Sequence, residues 1–182
     1  LPSENFGVLR FRRQVINENT YIGAMMTSRL GANGTYNIGY GLDGIFKLFG
    51  NDYLDFKWSQ TFENDVKYSS LTDPSRIMAR WERRSSKGLG YNLGYSKSGL
   101  NYNPGIGFEM MNDFASVRGG IKWGWLPEEK AKLYSHSPEY RLMYMTYIDD
   151  RSLMSLNHTI GWTFQTKNQW EGSANFLYNT ES

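Results

Sequence analysis

The chain of 182 residues contains no cysteine, only two histidines and five prolines, and a nearly balanced set of charges. The absence of cysteine excludes disulfides, thiolate metal sites and a cysteine nucleophile. The net charge is +2, from 20 Lys and Arg against 18 Asp and Glu, which is too small to gather nucleic acid by itself. No run approaches the roughly 18 apolar residues of a spanning helix. Nucleic acid is therefore not a predicted partner, and any membrane segment must be β-structure.

Aromatic residues and glycine, by contrast, are abundant. Aromatics make up 16% of the sequence, with 13 Tyr and 6 Trp, and Gly occurs 19 times. The mean hydropathy is nevertheless negative, at -0.59. This combination is typical of β-barrel walls. Because the sequence begins at Leu1 without an apolar signal region, we expect any signal peptide to be absent or removed, and residues 1–182 to be one barrel domain or a fragment of a larger barrel.

Residues 35–63 carry the clearest structural pattern. In both halves of this segment apolar or aromatic residues alternate with small, polar or charged ones, as with Leu42 beside Asp43. Only an extended strand converts a period of two into two distinct faces. Gly50 and Asn51 fit the central positions of a type II′ turn, which has Gly first. We predict a long β-hairpin with one aromatic, apolar face and one polar face.

The same alternation recurs along the chain and predicts ten or eleven strands and no helix. The other predicted strands are residues 6–12, 20–28, 76–84, 89–96, 105–111, 114–125, 140–148, 154–164 and 170–178. Sequential hairpins imply an antiparallel meander. The fold class is therefore all-β, an antiparallel meander of long strands that forms all or part of a transmembrane β-barrel.

The predicted connections differ in length. Residues 64–75, 98–104 and 126–138 are predicted to be long loops, whereas residues 85–88 and 112–113 are predicted to be short turns. With residues 105–111 counted as a strand, short and long connections alternate. Outer-membrane barrels have this asymmetry, with short turns on one side and long loops on the other.

No catalytic or cofactor motif withstands comparison with its structural context. Residues 39–44 match the letters of a GxGxxG fingerprint, but they lie inside an alternating strand and no helix follows. There is no G-x-S-x-G elbow for a serine hydrolase. The acidic pairs Glu128 with Glu129 and Asp149 with Asp150 are predicted to be solvated loop neighbours, although paired carboxylates also serve glycosidases. We predict no catalytic residue, no cofactor and no enzymatic activity.

The two histidines do not predict a metal site. His136 is expected in a loop, and His158 stands in an otherwise apolar strand series. Without cysteine or an HExxH spacing, these two residues lack the partners of a zinc site. We predict no metal ligand in the chain.

The most informative functional candidates are charged residues at the strand positions that alternate with the apolar ones. In a barrel they would line a wet lumen, pair across strands and tune permeation. In a soluble β-sandwich the same residues would face solvent. The lumen-facing candidates are Asp43, Lys47, Asp55, Lys57, Arg76, Arg80, Arg84, Arg118 and Lys122.

Aromatic residues near predicted strand ends have two interpretations. In a membrane barrel they would form girdles at the two interfaces, and the candidates are Tyr36, Trp81, Trp125, Trp162 and Trp170. In a soluble sugar-binding protein, loop aromatics such as Tyr68 or Tyr134 would stack on sugar rings instead.

Several segments also resemble a known family. Residues 5–13 (NFGVLRFRR), 21–29 (YIGAMMTSR) and 40–43 (YGLD) resemble the start of the C-terminal barrel region in a family of uncharacterised Gram-negative surface proteins. In that family the barrel follows an N-terminal family-9-like carbohydrate-binding module. Residues 102–109 (YNPGIGFE), followed by Asn112, Asp113 and Phe114, are similar to its recurrent F-N-P-x-V-G-F stretch and Asp-aromatic pair.

The resemblance spans about two thirds of the chain, and its motifs are structural. It implies an outer-membrane β-barrel that is associated with carbohydrate handling. The carbohydrate-binding module itself is not among these residues, so glycan binding transfers to no residue of this chain, and no catalytic residue is carried over. The resemblance also implies that the chain is a piece of a larger barrel and does not close alone without rearrangement.

We therefore predict a non-catalytic surface or transport component of the outer membrane. Its expected partner is membrane lipid, with a glycan and other outer-membrane proteins as further candidates. The alternative is a soluble β-sandwich or small barrel that binds a carbohydrate or another ligand through loop aromatics. A glycosidase is the third class, which loop carboxylates would have to support.

Overall fold

The computed structural model describes residues 3–181, and these residues form ten β-strands and no helix. Within that range no helix is therefore long and apolar enough to cross a membrane. The strands are β1 (Glu4–Gln14), β2 (Tyr21–Gly31), β3 (Tyr36–Lys47), β4 (Asp52–Glu63), β5 (Ser75–Arg83), β6 (Gly88–Ser98), β7 (Phe114–Gly124), β8 (Leu133–Tyr147), β9 (Leu153–Thr166) and β10 (Glu171–Glu181).

All ten strands belong to one sheet, in which spatial order follows sequence order. Each strand pairs antiparallel with its neighbours in the chain, from β1 with β2 to β9 with β10. Strands β1 and β10 are the two edges and do not pair with one another in the described structure. The predicted all-β meander is confirmed, and the sheet is an open one that is compatible with part of a barrel.

The register carries the two-face pattern across the whole sheet. Asp55 lies opposite Arg80, and on the neighbouring position Leu54 lies opposite Trp81. Opposed residues of an antiparallel pair point to the same side, so each face keeps its character from strand to strand. We call the side of Asp55 the polar face and the side of Trp81 the apolar face.

Burial in this sheet is inverted relative to that of a soluble β-protein. On the apolar face Leu93 is 54% exposed and Ile160 is 60% exposed. On the polar face Ser98 is 0% and Ser116 is 1% exposed. Soluble antiparallel sheets pack an apolar face against a core and expose the polar one. The described residues therefore contain no apolar core that would cover the apolar face.

The turn of the β3–β4 hairpin agrees with the sequence prediction. The N–H of Asp52 donates to the carbonyl of Phe49 at 2.9 Å, which places Gly50 and Asn51 at the centre of the turn. Gly50 has φ of 51°. A positive φ at the first central residue is what a type II′ turn requires.

The predicted strand at residues 105–111 is wrong. These residues belong to one connection, residues 99–113, and pair with no strand of the described structure, so residues 112–113 are not a tight hairpin turn either. Gly107 has φ of 135°, and the N–H of Gly105 donates to the Asn37 side chain at 2.9 Å instead of to a neighbouring strand. Both features interrupt the extended ladder that the alternation of Ile106 and Phe108 suggested.

The predicted loop at residues 126–138 is too long. Strand β8 begins at Leu133, so Tyr134 and His136 lie in a strand and not in a loop. The backbones of Trp125 and His136 also form an isolated antiparallel bridge. The actual connection is residues 125–132.

These two corrections change which connections share an end of the sheet. The two longest connections, residues 64–74 and 99–113, lie at one end, which we call the long-loop end. The β7–β8 connection lies at the opposite end, with the turns at residues 48–51, 84–87 and 167–170. We call this opposite end the short-loop end. An asymmetry of loop length is present, but the alternation that was predicted with residues 105–111 counted as a strand is not.

Candidate functional site

All nine predicted lumen-facing residues lie on the polar face. The register places Asp43 opposite Lys57, and Arg118 opposite Gly94, whose other partner is Arg80. Arg84 follows the end of β5, and its side chain binds Glu82 of the polar face. The strand parity therefore brings these side chains to one surface, although they come from four strands and a turn.

Five of the nine candidates are members of ion pairs on this face. Arg80 joins Asp55 at 3.3 Å and Glu82 at 3.6 Å, and Arg84 joins the same Glu82 at 2.7 Å. Asp43 pairs with Arg10 at 2.7 Å. Arg76 pairs with Glu109 at 3.0 Å. Charged side chains on the polar face thus form short cross-strand networks.

Glycines between the charged residues provide the space for these networks. Arg10 of β1 reaches over β2 to Asp43 of β3, and it passes above Gly23. A Cβ at Gly23 would lie 2.8 Å from Asp43 Oδ1 and 2.9 Å from Arg10 Nη2. A Cβ at Gly90 would likewise lie 2.8 Å from Cε of Lys122. The small residues of the polar strands therefore let long side chains lie flat on the sheet.

Four of the nine candidates are cations without an acidic partner. Among residues 3–181, no carboxylate lies within ion-pair distance of Lys47, Lys57, Arg118 or Lys122. The last three are exposed to the space in front of the polar face. That space is consequently flanked by uncompensated positive charge on β4 and β7.

The connection of residues 99–113, which we call the docked loop, is the most developed feature of the polar face. It leaves β6 and binds β3 and β4 before it returns to β7. The Tyr102 hydroxyl shares a hydrogen bond of 2.8 Å with Ser59, and the N–H of Asn103 donates to Thr61 Oγ1 at 3.0 Å. Asn37 donates through Nδ2 to the carbonyl of Asn103 at 2.8 Å.

The Asn37 side chain is a two-sided anchor for this loop. Besides donating to Asn103, its Oδ1 accepts the N–H of Gly105 at 2.9 Å. Asn103 in turn donates through Nδ2 to Glu63 at 3.0 Å. A carboxamide that satisfies one donor and one acceptor of the same backbone segment fixes both its position and its direction. The segment from Tyr102 to Gly105 is therefore anchored to β3 and β4 through side-chain hydrogen bonds.

A second set of contacts ties the docked loop to residues 64–74. The Asp73 carboxylate accepts the Ser69 N–H at 2.9 Å and Nδ2 of Asn101 at 2.9 Å. It also accepts the Asn101 N–H at 3.3 Å. Burial by itself would raise the pKa of Asp73, but the hydrogen bonds from Ser69 and Asn101 outweigh that effect and hold the pKa below its ordinary value. We call this arrangement the Asp73 clasp.

The docked loop has a buried base and an exposed tip. Tyr102 in the base is only 9% exposed, whereas Phe108 is 85% and Met110 is 88% exposed. Glu109 lies between these two residues and pairs with Arg76 of β5. Because Arg76 belongs to the polar face, the ion pair holds the apolar tip on the polar side of the sheet.

The predicted girdle aromatics lie mainly at one end of the apolar face. Trp81, Trp125 and Trp162 are exposed and near the short-loop end, where Trp170 occupies the β9–β10 turn. Tyr36 is exposed at the long-loop end. Around Trp125 and Trp162 the rings of His136 and Phe164 add ring contacts with centroids 5.0 Å and 4.9 Å apart respectively.

The two aromatics that would stack on sugars in a soluble protein are placed differently from the prediction. Tyr68 does lie in the connection of residues 64–74, but its hydroxyl accepts the Glu63 N–H at 2.9 Å and its ring packs edge-on against Phe62. Tyr134 is an exposed residue of strand β8. Neither therefore projects from a loop as a free platform.

The remaining candidate motifs take structural positions. Residues 39–44 lie within β3, so the GxGxxG letters open no helix. His158 lies in β9, where Nδ1 shares a hydrogen bond of 2.7 Å with the Tyr140 hydroxyl. The acidic pairs at 128–129 and 149–150 lie in separate connections. The described part of the chain contains no group of three or more acidic or histidine side chains that could hold a metal ion.

The docked loop is the element of the candidate site that the sequence pattern predicted only in part. Its signals were the asparagines at positions 101, 103 and 112 and the Pro104–Gly105 pair, which favour turns over strands. They agree with the predicted loop at residues 98–104 and the predicted turn at residues 112–113, but the alternation of Ile106, Phe108 and Met110 predicted a strand between the two. The quoted family-like stretch at residues 102–109 falls within this loop.

Comparison of the chain with known proteins does not extend these observations. No family model matches it, and the searches of curated proteins and of solved structures found no match either.

Proposed function

We propose that this chain forms all or part of the wall of an outer-membrane β-barrel, and that it acts as a non-catalytic surface or transport component. The observation that carries the proposal is the inverted burial of the sheet. Exposed aromatic and aliphatic side chains cover one face, while polar and charged side chains occupy the other. A barrel wall between lipid and water requires this arrangement.

The energetic argument concerns the apolar face. Burial of apolar surface contributes about 25 cal/mol per Å². A soluble protein would leave this contribution unused over residues as large as Leu42, Ile121 and Phe176, all of which are exposed. Contact with lipid would remove these side chains from water without any further protein layer. The polar face would then line water, where the ion pairs of Arg80 and Arg10 remain solvated.

Strand length supports the same function. A tilted transmembrane strand needs roughly 9 to 11 residues. The described strands have between 9 and 15 residues, with β5 the shortest and β8 the longest. Every strand can therefore cross the hydrocarbon layer, and the additional residues of β8 and β9 would extend beyond it.

The carbohydrate part of the proposal has a separate basis. It rests on the resemblance of residues 5–13, 21–29 and 102–109 to the barrel region of the Gram-negative surface-protein family. A glycan, membrane lipid and other outer-membrane proteins are the partners that this resemblance implies. Retention on immobilised polysaccharides by the lipid-reconstituted protein would test this part independently of membrane insertion.

Membrane insertion is best tested with paired labels on one strand. Because the chain has no cysteine, Ile121→Cys and Lys122→Cys each give one labelling site, on the apolar and polar faces respectively. After reconstitution into vesicles, a lipid-attached nitroxide should quench a fluorophore at position 121 and spare one at position 122. A water-soluble quencher should show the reverse order.

The control is the same pair of labels in detergent-free buffer. Equal quenching at the two positions in vesicles, or a compact soluble monomer without detergent, would contradict the proposal. A soluble monomer would favour the β-sandwich alternative.

A further inference from the structure

We propose that the docked loop is a fixed constriction, with an apolar tip formed by Phe108 and Met110 that narrows the water-filled path along the polar face. The inference rests on the proposed barrel function and goes beyond it, because it assigns the control of passage to one segment. Two properties of the loop support it. They are the rigidity of its base and the position of its tip.

The base of the loop is attached at several independent points. Tyr102 binds Ser59, Asn103 binds Thr61, and Asn37 holds the backbone on both sides. Asn112 closes the loop on itself by donating to the carbonyl of Tyr102 at 2.7 Å. Most loop tips move because few contacts restrain them. This loop is instead bound along much of its length, so it obstructs the path permanently and is not a lid that opens.

The path of the loop brings it across the polar face. It starts at the end of β6, contacts β5 through Arg76 and Glu109, and reaches β4 at Ser59 and β3 at Asn37. It therefore extends over three strands before it returns to Phe114 in β7. In a curved wall whose polar face is concave, a segment in this position occupies space that solutes would otherwise use.

The chemistry of the tip indicates what the constriction retards. Phe108 and Met110 are almost fully exposed, although they stand on the polar side of the sheet. Apolar constrictions oppose the passage of hydrated ions because water leaves a narrow apolar section readily. The tip should therefore retard small inorganic ions more than its size alone predicts. The unpaired cations Lys57 and Arg118 lie deeper on the same face, where they would favour anions among the ions that pass.

The test is the ion conductance of the full chain in planar bilayers. Wild type is compared with the double variant Phe108→Ala/Met110→Ala and with Phe108→Ser/Met110→Ser. The Ala variant should conduct more in KCl because the path is wider. The Ser variant should conduct more than the Ala variant, since a wetted section of similar width no longer excludes hydrated ions. The matched control is Phe49→Ala, an exposed aromatic in the β3–β4 turn at the short-loop end, which should leave conductance at the wild-type value.

A second variant tests the fixed base. Asn37→Ala removes both side-chain bonds to the loop without altering the tip, and it should convert a steady conductance into one that fluctuates between levels. Steady, unchanged conductance in the tip variants, or a conductance absent from all of the proteins, would overturn the constriction. The paired labels at positions 121 and 122 are read in the same vesicle preparations. If the lipid quencher acts on position 121 and spares position 122 but no conductance is seen, only the constriction is overturned. If the two positions are quenched equally, the proposed function is overturned as well.

Discussion

At the scale of single residues, the docked loop depends on a close approach of two backbones. The N–H of Gly99 donates to the carbonyl of Ser75 at 2.9 Å, at the point where the loop leaves β6. A Cβ at position 99 would lie 1.9 Å from the carbonyl oxygen of Asp73. Backbone atoms cannot move aside as a flexible side chain can. Glycine is therefore required here for space.

The substitution Gly99→Ala should destabilise the folded protein. Overpacking of this kind typically costs about 1–3 kcal/mol, and the clash with a backbone carbonyl places the expected loss at the upper part of that range. The midpoint of urea unfolding, followed by tryptophan fluorescence in lipid vesicles, measures it. Gly119→Ala is the control, because a Cβ there would meet no heavy atom of the described residues within 4 Å. Equal effects of the two substitutions would refute the close-approach argument.

The Asp73 clasp should make stability depend on pH at acidic values. The folded pKa of Asp73 is lowered, because the hydrogen bonds from Ser69 and Asn101 outweigh the opposing effect of burial. The ionised clasp therefore contributes its full stability above the ordinary Asp pKa of about 4, and loses it as pH falls through the lower folded value. Asp73→Asn removes the ionisable group.

The difference in urea midpoint between wild type and Asp73→Asn should accordingly be largest near neutral pH and shrink below about pH 4. Asp149→Asn, in the β8–β9 connection and outside the clasp, supplies the comparison for general effects of charge removal. A difference between wild type and Asp73→Asn that stays constant from pH 7 to pH 3 would show that the carboxylate charge does not hold the two loops together.

At the scale of secondary structure elements, the β3–β4 hairpin shows what turn chemistry determines. Gly50 takes a positive φ, and a Cβ there would meet no atom of the described chain within 4 Å. The requirement for glycine is therefore conformational. Gly50→Ala should reduce stability by roughly 1–3 kcal/mol, the usual cost of a non-glycine residue in such a conformation. Replacement by a D-alanine in a semisynthetic chain should restore the wild-type midpoint, because its mirror-image Cβ favours positive φ. Failure of this rescue would assign the loss to another cause.

The strands of this hairpin could be predicted from sequence because their period of two is strict. A one-residue slip would transfer every side chain to the wrong face. Alternation over ten or more residues therefore leaves only one assignment of the side chains to the two faces. Leu54, Phe56 and Trp58 take the apolar face as predicted, and Asp55 and Lys57 take the polar one. The same rule identified the face of all nine charged candidates.

The docked loop shows where this reasoning fails. Ile106, Phe108 and Met110 alternate like a strand, but they pair with no neighbouring strand. Instead, the N–H of Gly105 just before them donates to the Asn37 side chain of β3, and the Glu109 side chain pairs with Arg76 of β5. Those contacts join residues more than thirty positions apart, as from Asn37 to Gly105 and from Arg76 to Glu109. A local period contains no information about such partners. Because residues 105–111 are not a strand, the β7–β8 connection lies at the end of the sheet opposite to the predicted one.

At the scale of the whole molecule, inverted burial replaces an apolar core as the organising feature. Within residues 3–181 the buried large apolar side chains are Tyr102, Phe114 and Met145, and all three lie on the polar side of the sheet. The polar side of this sheet is therefore held together mainly by hydrogen bonds and ion pairs. Its apolar face depends on what surrounds the protein.

This organisation predicts opposite outcomes for one substitution at two adjacent positions of β6. Leu93 lies on the apolar face opposite Trp81 and Gly119, whereas Asn92 lies on the polar face opposite Glu82 and Gly120. A lysine on the lipid face of a barrel costs about 2–4 kcal/mol at the bilayer midplane, while lumen positions tolerate charge. Leu93→Lys should therefore lower the yield of folding into vesicles and the urea midpoint, and Asn92→Lys should leave both near wild type.

The same two variants separate the membrane protein from the soluble alternative. The yield is read as the fraction of protein that resists unfolding by detergent on unheated gels and cofloats with vesicles. In a soluble protein that keeps this open sheet, both positions would be exposed to water, as they are in the structure, and the Leu93→Lys variant would fold as well as wild type. In a soluble β-sandwich the variant would lose stability because Leu93 would face the core, but neither it nor the wild type would cofloat with vesicles. A loss confined to position 93 would require a nonpolar medium against the apolar face. Because the two residues are neighbours on one strand, no difference in strand, turn or register can account for it.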